Sequence, residues 1–274
     1  MYLEFYGLKE KPFNVTADPN FLYLSKKHVE AISHMRYGIQ ERMGFLEITG
    51  EIGAGKTTVC KALLNQLDNH TKTAFILNGN LSEIQLLQAI IEDFGIQIKT
   101  KNKITILNEL NKFLLEQLDH RNNVVLIIDE AQNLKPSLLE QVRLLSNLET
   151  EKEKLLQIIL VGQPELREKL ASRELKQLRQ RIAIRYHIAP LSRHESESYV
   201  SHRLHVAGCN NGDIFQKDAL EEIFKFSGGI PRLINIACDK SLLAGYTADK
   251  KTIDSDMVKK CTKEIEGVFD EYCQ

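Results

Sequence analysis

Gly50-Glu-Ile-Gly-Ala-Gly-Lys-Thr-Thr58 fits the pattern GxxxxGK[ST] and follows the apolar run Phe45–Ile48. A strand, a glycine loop and a helix opening at Lys56-Thr57-Thr58 together make a phosphate cradle. Gly50, Gly53 and Gly55, with Glu51, Ile52 and Ala54 between them, let successive backbone N–H groups converge on an anion, and the helix adds its positive N-terminal end. Lys56 is then expected to reach the β- and γ-phosphates of ATP, and the Thr57 hydroxyl to ligate Mg²⁺.

Working outward, short apolar runs alternate with helical stretches. Phe45–Thr49, Thr73–Leu77, Val124–Ile128, Gln157–Val161 and, more weakly, Ala183–His187 read as strands. Thr57–Asn69, Glu83–Phe94, Ile104–His120 and Pro136–Leu148 carry apolar residues at three- and four-residue spacing and read as helices. This alternation predicts an α/β fold with a five-stranded parallel sheet covered on both faces. Beyond Ile188-Ala-Pro-Leu-Ser192 the character changes. Glu195–Val206, Asp218–Ser227, Pro231–Tyr246 and Ser255–Val268 all read as helices, with Thr252–Asp256 as a capped entry to the last. The expected division is an α/β base over residues 1–190, with an N-terminal linker over 1–30, and a small helical lid over 191–274.

Four further stretches carry chemistry. Val124-Val-Leu-Ile-Ile-Asp-Glu-Ala-Gln132 is a strand ending in two carboxylates about 70 residues after the glycine loop. In that place it reads as a Walker B element, with Asp129 assisting Mg²⁺ and Glu130 as the base that activates the attacking water. Gln157-Ile-Ile-Leu-Val-Gly-Gln-Pro-Glu165 puts Gln163 at a strand tip, where it can orient water against the γ-phosphate; the same residues also make an ordinary turn. Glu174–Ile182 is a basic helix end. Arg179 or Arg181 there supplies charge to a neighbouring subunit's γ-phosphate, or else complements a helix C-terminus. Ser227-Gly-Gly-Ile-Pro-Arg-Leu-Ile-Asn235 opens a lid helix at Pro231-Arg232 and would aim Arg232 at the nucleotide. His194, His202 and His205 lack the cysteines or acids of a metal site and read as a solvated helix face, as do Lys99, Lys101 and Lys103 as a solvent-facing turn.

Composition bounds the classes. A net charge of −1 supplies no global field toward nucleic acid or acidic lipid, so any such contact is local. The five scattered cysteines form no CxxC pair and read as reduced thiols. The N-terminus has charges where a signal peptide needs an apolar core, and no apolar run approaches the roughly 20 residues that span a bilayer. A cytoplasmic protein is expected, or one peripheral at the inner membrane through a partner.

Walker A, Walker B, a polar strand tip, an arginine pair and a Gly-x-Pro-Arg helix, in this order, resemble an AAA+ ATPase. Phe5-Tyr-Gly-Leu-Lys-Glu-Lys-Pro-Phe13, Asp18-Pro-Asn-Phe-Leu-Tyr-Leu-Ser25, His28, Tyr37-Gly-Ile39, Gly162-Gln-Pro-Glu-Leu166 and Gly229–Asn235 are similar to the ExeA/GspA family over nearly the whole chain. The resemblance implies ATP hydrolysis at a subunit interface in a homo-oligomer, Leu24, Ser25 and His28 near the adenine, and Gln163 and Arg232 as first and second sensors. Long members continue into a transmembrane helix and a periplasmic peptidoglycan-binding domain and help assemble a secretin. The residues up to Gln274 hold no counterpart of those segments, a departure that bears on the secretion role and not on the ATPase. The leading expectation is an ATPase that drives assembly of a secretion, pilus or envelope complex through an inner-membrane partner. The alternatives are a duplex-DNA-binding regulator of transposition of the TnsC/MuB/TniB kind, and a nucleotide-gated interaction module with negligible turnover.

Overall fold

Val124–Ile128 is apolar at every position, and a run without polar alternation suits an inner strand of a parallel sheet, buried on both faces. The computed structural model describes residues 2–14, 19–77, 81–98, 102–150, 153–209 and 214–267. Lys99, Lys101, Asp18, Cys273 and Val268 therefore lie outside the described residues. In chain order the elements are α1 (Tyr2–Tyr6), α2 (Lys26–Gln40), β1 (Phe45–Gly50), α3 (Lys56–Leu64), β2 (Thr71–Ile76), α4 (Glu83–Asp93), α5 (Lys103–Asp119), β3 (Asn123–Ile128) and α6 (Pro136–Leu145). There follow β4 (Gln157–Gly162), α7 (Pro164–Ala171), α8 (Lys176–Arg181), β5 (Ile182–Ile188), α9 (Arg193–Val206), α10 (Lys217–Ser227), α11 (Pro231–Thr247) and α12 (Ser255–Ile265).

The five strands are parallel in the order β2-β3-β4-β1-β5. That order puts β4 between β1 and β3, with Ile48 opposite Val161 and Ile128 opposite Leu160. The loops leaving β1, β4 and β3 therefore emerge side by side at the carboxyl edge of the sheet, the usual place for a ligand in an α/β fold. Leu126, Ile128, Ile158 and Leu160 join Ile90, Leu110 and Leu139 in one apolar core.

Local chemistry sets the helix starts. Pro136, Pro164 and Pro231 open α6, α7 and α11, where a missing N–H costs nothing. Ser82 and Ser192 make reciprocal capping boxes with Gln85 and Glu195. Asp254 caps α12 by accepting from the Met257 N–H at 2.9 Å, within the segment read as its entry. Helix α2 was legible from Ile32, Met35 and Ile39, all buried at helical spacing, but was not assigned.

The chain divides into two units: Met1–Ser25, Ile52–Gly55 and Ala189–Gln274 in one, Lys26–Glu51 and Lys56–Ile188 in the other. The division at residue 190 groups residues 1–30 with the α/β base, whereas Met1–Ser25 belongs with the C-terminal helices. The cause is apolar burial. Tyr2, Leu8, Phe13 and Phe21 share a core with Leu191, Tyr199, Leu204 and Phe215. Arg203, buried in that core, donates to the carbonyls of Pro12 at 2.5 Å and Asn14 at 3.2 Å and to the Tyr199 hydroxyl at 2.8 Å, while its guanidinium lies 4.9 Å from the Phe21 ring centroid. His202 beside it packs on the Tyr23 ring at 5.7 Å, which corrects its reading as part of a solvated face. Among the described residues no helix is long and apolar enough to cross a membrane.

Candidate nucleotide site

The β1 strand ends at Gly50, and Lys56 is the first residue of α3, so the glycine loop spans the gap between them. Lys56 is buried, and its ammonium donates to the carbonyls of Gly50 at 2.9 Å and Glu51 at 3.0 Å. Burial pulls its pKa below the usual lysine range, against the carboxylates of Glu130 and Asp129, which favour the charged form.

Thr57 Oγ1 donates to Asp129 Oδ2 at 2.5 Å. Strands β1 and β3 are not neighbours, yet the first turn of α3 reaches across the end of β4 to join them. A hydroxyl and a carboxylate form the hard oxygen set that Mg²⁺ takes together with substrate phosphates. Among the described residues no three His, Cys, Asp or Glu side chains gather into a separate metal cluster.

Asp129 also accepts the Glu130 N–H at 2.9 Å, and Glu130 itself stands in the left-handed region at φ 53°. A non-glycine residue there is uncommon and is held only where its surroundings over-determine it. Glu130 Oε2 accepts the Gln132 amide at 2.5 Å and the Gln163 amide at 3.1 Å. Gln163 sits at the tip of β4, and its own N–H donates to Gln132 Oε1 at 3.1 Å. Gln132 thus closes a ring through the Glu130 carboxylate and the β4 tip. A Cβ on Gly162 would fall 2.8 Å from Gln132 Oε1 and 2.9 Å from Leu166, so only glycine leaves room for that amide. Lys169 anchors the same turn by donating to the carbonyls of Gln132 and Leu134. Sequence reading singled out Gln163 but passed over Gln132. The left-handed Glu130 and the 3-10 turn at Ala131–Asn133 fold that amide back, and neither leaves a periodic signal.

Of the two arginines in α8, Arg181 donates to Ser146 Oγ at 2.6 Å and the Arg143 carbonyl at 3.3 Å. These groups end α6, so Arg181 complements a helix C-terminus. Arg179 is exposed and reaches the Ala171 carbonyl at 3.4 Å. In the helical unit, the Arg232 N–H meets the Gly53 carbonyl at 3.4 Å, and a Cβ built on Gly53, at φ +80°, would stand 2.5 Å from Arg232 Cβ. Glycine at position 53 is thus required by backbone and by space. In that unit Leu24 is half-buried and Ser25 is buried; His28, buried, lies on α2 of the α/β unit.

Burial pushes the Asp129 carboxyl above the usual carboxylate range, opposed by the Thr57 hydroxyl and the Glu130 N–H. A carboxyl whose pKa the fold raises stabilises the fold below its unfolded pKa, and that contribution is lost as pH rises through the folded value. Ionised Asp129 therefore weighs against folding at neutral pH. Asp129→Asn, whose amide can keep both hydrogen bonds if Thr57 turns to accept, is expected to raise the nucleotide-free Tm at pH 7 by about 2–4 °C, the shift that roughly 1 kcal/mol produces in a protein of this size. The gap should narrow in acid; a lower Tm at pH 7 would contradict the burial cost.

The strand order, the glycine loop after β1 and the acidic end of β3 define an AAA-type P-loop protein, an α/β sheet followed by a helical region. Residues 39–170 match the AAA domain family. The chain is 44% identical over 272 residues to general secretion pathway protein A of Aeromonas hydrophila, and it is a GspA-like AAA protein in this sense. That match takes in 99% of this chain and 50% of the relative, so the chain spans about half of the relative's length. Among solved structures, Drosophila ORC bound to DNA superposes with a TM-score of 0.72 at 18% identity, covering 97% of this chain and 66% of that one. Aeropyrum pernix ORC2 in its ADPNP–ADP complexes gives 0.69 at 17% identity, over 93% of this chain and 72% of that one. At such identities the two share the fold.

Proposed function

We propose that this chain binds Mg²⁺-ATP and hydrolyses it, and that the nucleotide cycle drives assembly of a secretion, pilus or envelope complex. The observation that carries the catalytic reading is the convergence of Thr57 with Asp129, and of Glu130 with Gln163, on the carboxyl ends of three adjacent strands. In this reading Gly50–Thr58 cradle the phosphates and Lys56 holds the β- and γ-phosphates. Thr57 and Asp129 would hold Mg²⁺, which offsets phosphate charge when bound. Glu130 accepts a proton from water as its oxygen attacks the γ-phosphorus; the bond to the β–γ bridging oxygen breaks, and ADP and phosphate leave. Gln163 orients that water. Arg179 is the arginine offered to a neighbouring copy, because Arg181 is engaged within its own chain. Arg232 takes the second-sensor role, and Leu24, Ser25 and His28 flank the adenine.

The 44% identity to general secretion pathway protein A supports the assembly role over a transposition regulator. We read the chain as cytoplasmic and peripheral at the inner membrane through a partner, a reading that the same likeness supports. Phosphate release from ATP is expected to require Mg²⁺, to accompany formation of oligomers larger than those with ADP, and to be unmoved by duplex DNA. Absence of turnover would overturn the enzymatic reading. DNA-stimulated turnover with filaments on duplex DNA would replace the assembly role with the transposition one.

A further inference from the structure

We infer that Glu47 and Arg185 form a positioning pair that aims the Arg179 side chain of α8 at the nucleotide of a second copy of this chain. The inference deepens the hydrolytic reading and rests on Arg179 acting between copies.

Glu47 lies three residues before Gly50 in β1, between the buried Leu46 and Ile48, and its side chain is 3% exposed. A carboxylate in an inner strand is costly to bury, and an apolar residue of similar size would serve the core at least as well. A carboxylate there can do what apolar packing cannot: it can hold a guanidinium in a fixed direction. Strand register sets Glu47 directly opposite Arg185 of β5, whose Nε donates to Glu47 Oε2 at 3.2 Å. The other oxygen, Oε1, is buried without a hydrogen-bond partner and has Arg167 Nε of α7 at 3.6 Å.

Arg185 does not end at Glu47. Its Nη2 donates to the Arg179 carbonyl at 2.5 Å, one of the carbonyls that the last turn of a helix leaves open. A single guanidinium thus joins the strand that feeds the glycine loop to the turn that carries Arg179. A guanidinium can do this because its planar donors point in fixed directions, toward a carboxylate and a carbonyl at once. Arg181, two residues on, is fixed to the end of α6, so the turn is held from both sides while the Arg179 side chain stands exposed. Loss of the Glu47–Arg185 contact removes one of the two holds on the Arg179 turn and leaves Lys56, Thr57 and Asp129 of the same subunit in place.

The test uses the full chain. Glu47→Leu, which leaves Arg185 no acceptor at that position, and Arg185→Ala are assayed for Mg²⁺-ATP turnover and nucleotide affinity, alone and mixed with Glu130→Gln subunits, which bind ATP, turn it over far more slowly and present an intact α8. An arginine finger supplies about 10³–10⁵ in rate. Misaiming it is expected to lower turnover of either variant alone about tenfold or more, with affinity within about twofold of wild type. Added Glu130→Gln subunits should restore turnover, as they should for Arg179→Ala. Rescue of Arg179→Ala without rescue of Glu47→Leu and Arg185→Ala would overturn the positioning role, since the pair would then serve its own site. Wild-type turnover in both variants would overturn it as well. If Arg179→Ala itself is not rescued, the arginine does not act between copies, and the wider reading of Arg179 fails together with the pair. Should Glu47→Leu not fold, Arg185→Ala, at a side chain 42% exposed, carries the same comparison.

Discussion

Glu130→Gln is expected to bind Mg²⁺-ATP about as well as the wild type and to hydrolyse it about 10²–10⁴-fold more slowly, the range that a positioned general base supplies. The substitution is nearly isosteric. A glutamine oxygen can still accept the Gln163 amide, so the β4 tip keeps its partner. The Gln132 amide approaches the same Oε2 atom at 2.5 Å, and one amide oxygen can serve both donors less strongly than a carboxylate. What glutamine cannot do is take a proton from water. Nothing in the phosphate loop depends on Glu130 for its hydrogen bonds: Lys56 is held by the Gly50 and Glu51 carbonyls and Thr57 by Asp129. Binding measured by a fluorescent nucleotide and phosphate release measured on one preparation separate the two effects. Equal loss of both would make Glu130 part of the binding site, and unchanged turnover would remove it from the chemistry.

Much of the candidate site's arrangement was legible because its residues are grouped locally in sequence. The glycine loop, Asp129-Glu130 after an apolar run and Gln163 after the next run are each short words whose meaning depends on a strand before them, and β1, β3 and β4 supplied those strands. The sheet was legible for the same reason, since runs such as Val124–Ile128 have no polar face to hide. What escaped is long-range. That Tyr2, Phe13 and Phe21 bury themselves with α9–α12 is decided by which apolar surface is left uncovered, which no window of sequence contains. Arg179 and Arg181 are equivalent as letters, and they part company because the carboxyl end of α6 arrives beside Arg181. Gln132 was within the quoted motif, but its role depends on the backbone of Glu130 taking φ 53°. Glu47 was counted as part of an apolar strand, although a lone carboxylate within one is itself a signal that something must meet it.

Lys56→Ala is expected to abolish both binding and turnover while leaving the nucleotide-free protein folded. Lys56 is buried, and burial already lowers its pKa, so its charge sits in a place that disfavours it. Removing it relieves that cost and leaves the Gly50 and Glu51 carbonyls without the ammonium, two opposing changes of similar kind. The nucleotide-free Tm should therefore move little. With a triphosphate the balance is one-sided, because the ammonium is the phosphate loop's own positive charge and the backbone N–H groups alone face an anion of several charges. The cleanest reading is ligand-induced stabilisation. A protein that binds ATP only when folded gains about 2.7 kcal/mol at a hundredfold excess over Kd. The wild type should show the corresponding rise in Tm with Mg²⁺-ATP, Glu130→Gln should keep it, and Lys56→Ala should lose it. A Lys56→Ala protein that retains the full rise would mean that the loop holds nucleotide through its backbone alone. A fall of its nucleotide-free Tm by more than a few degrees would instead assign Lys56 to the folding of the loop, through the carbonyls of Gly50 and Glu51.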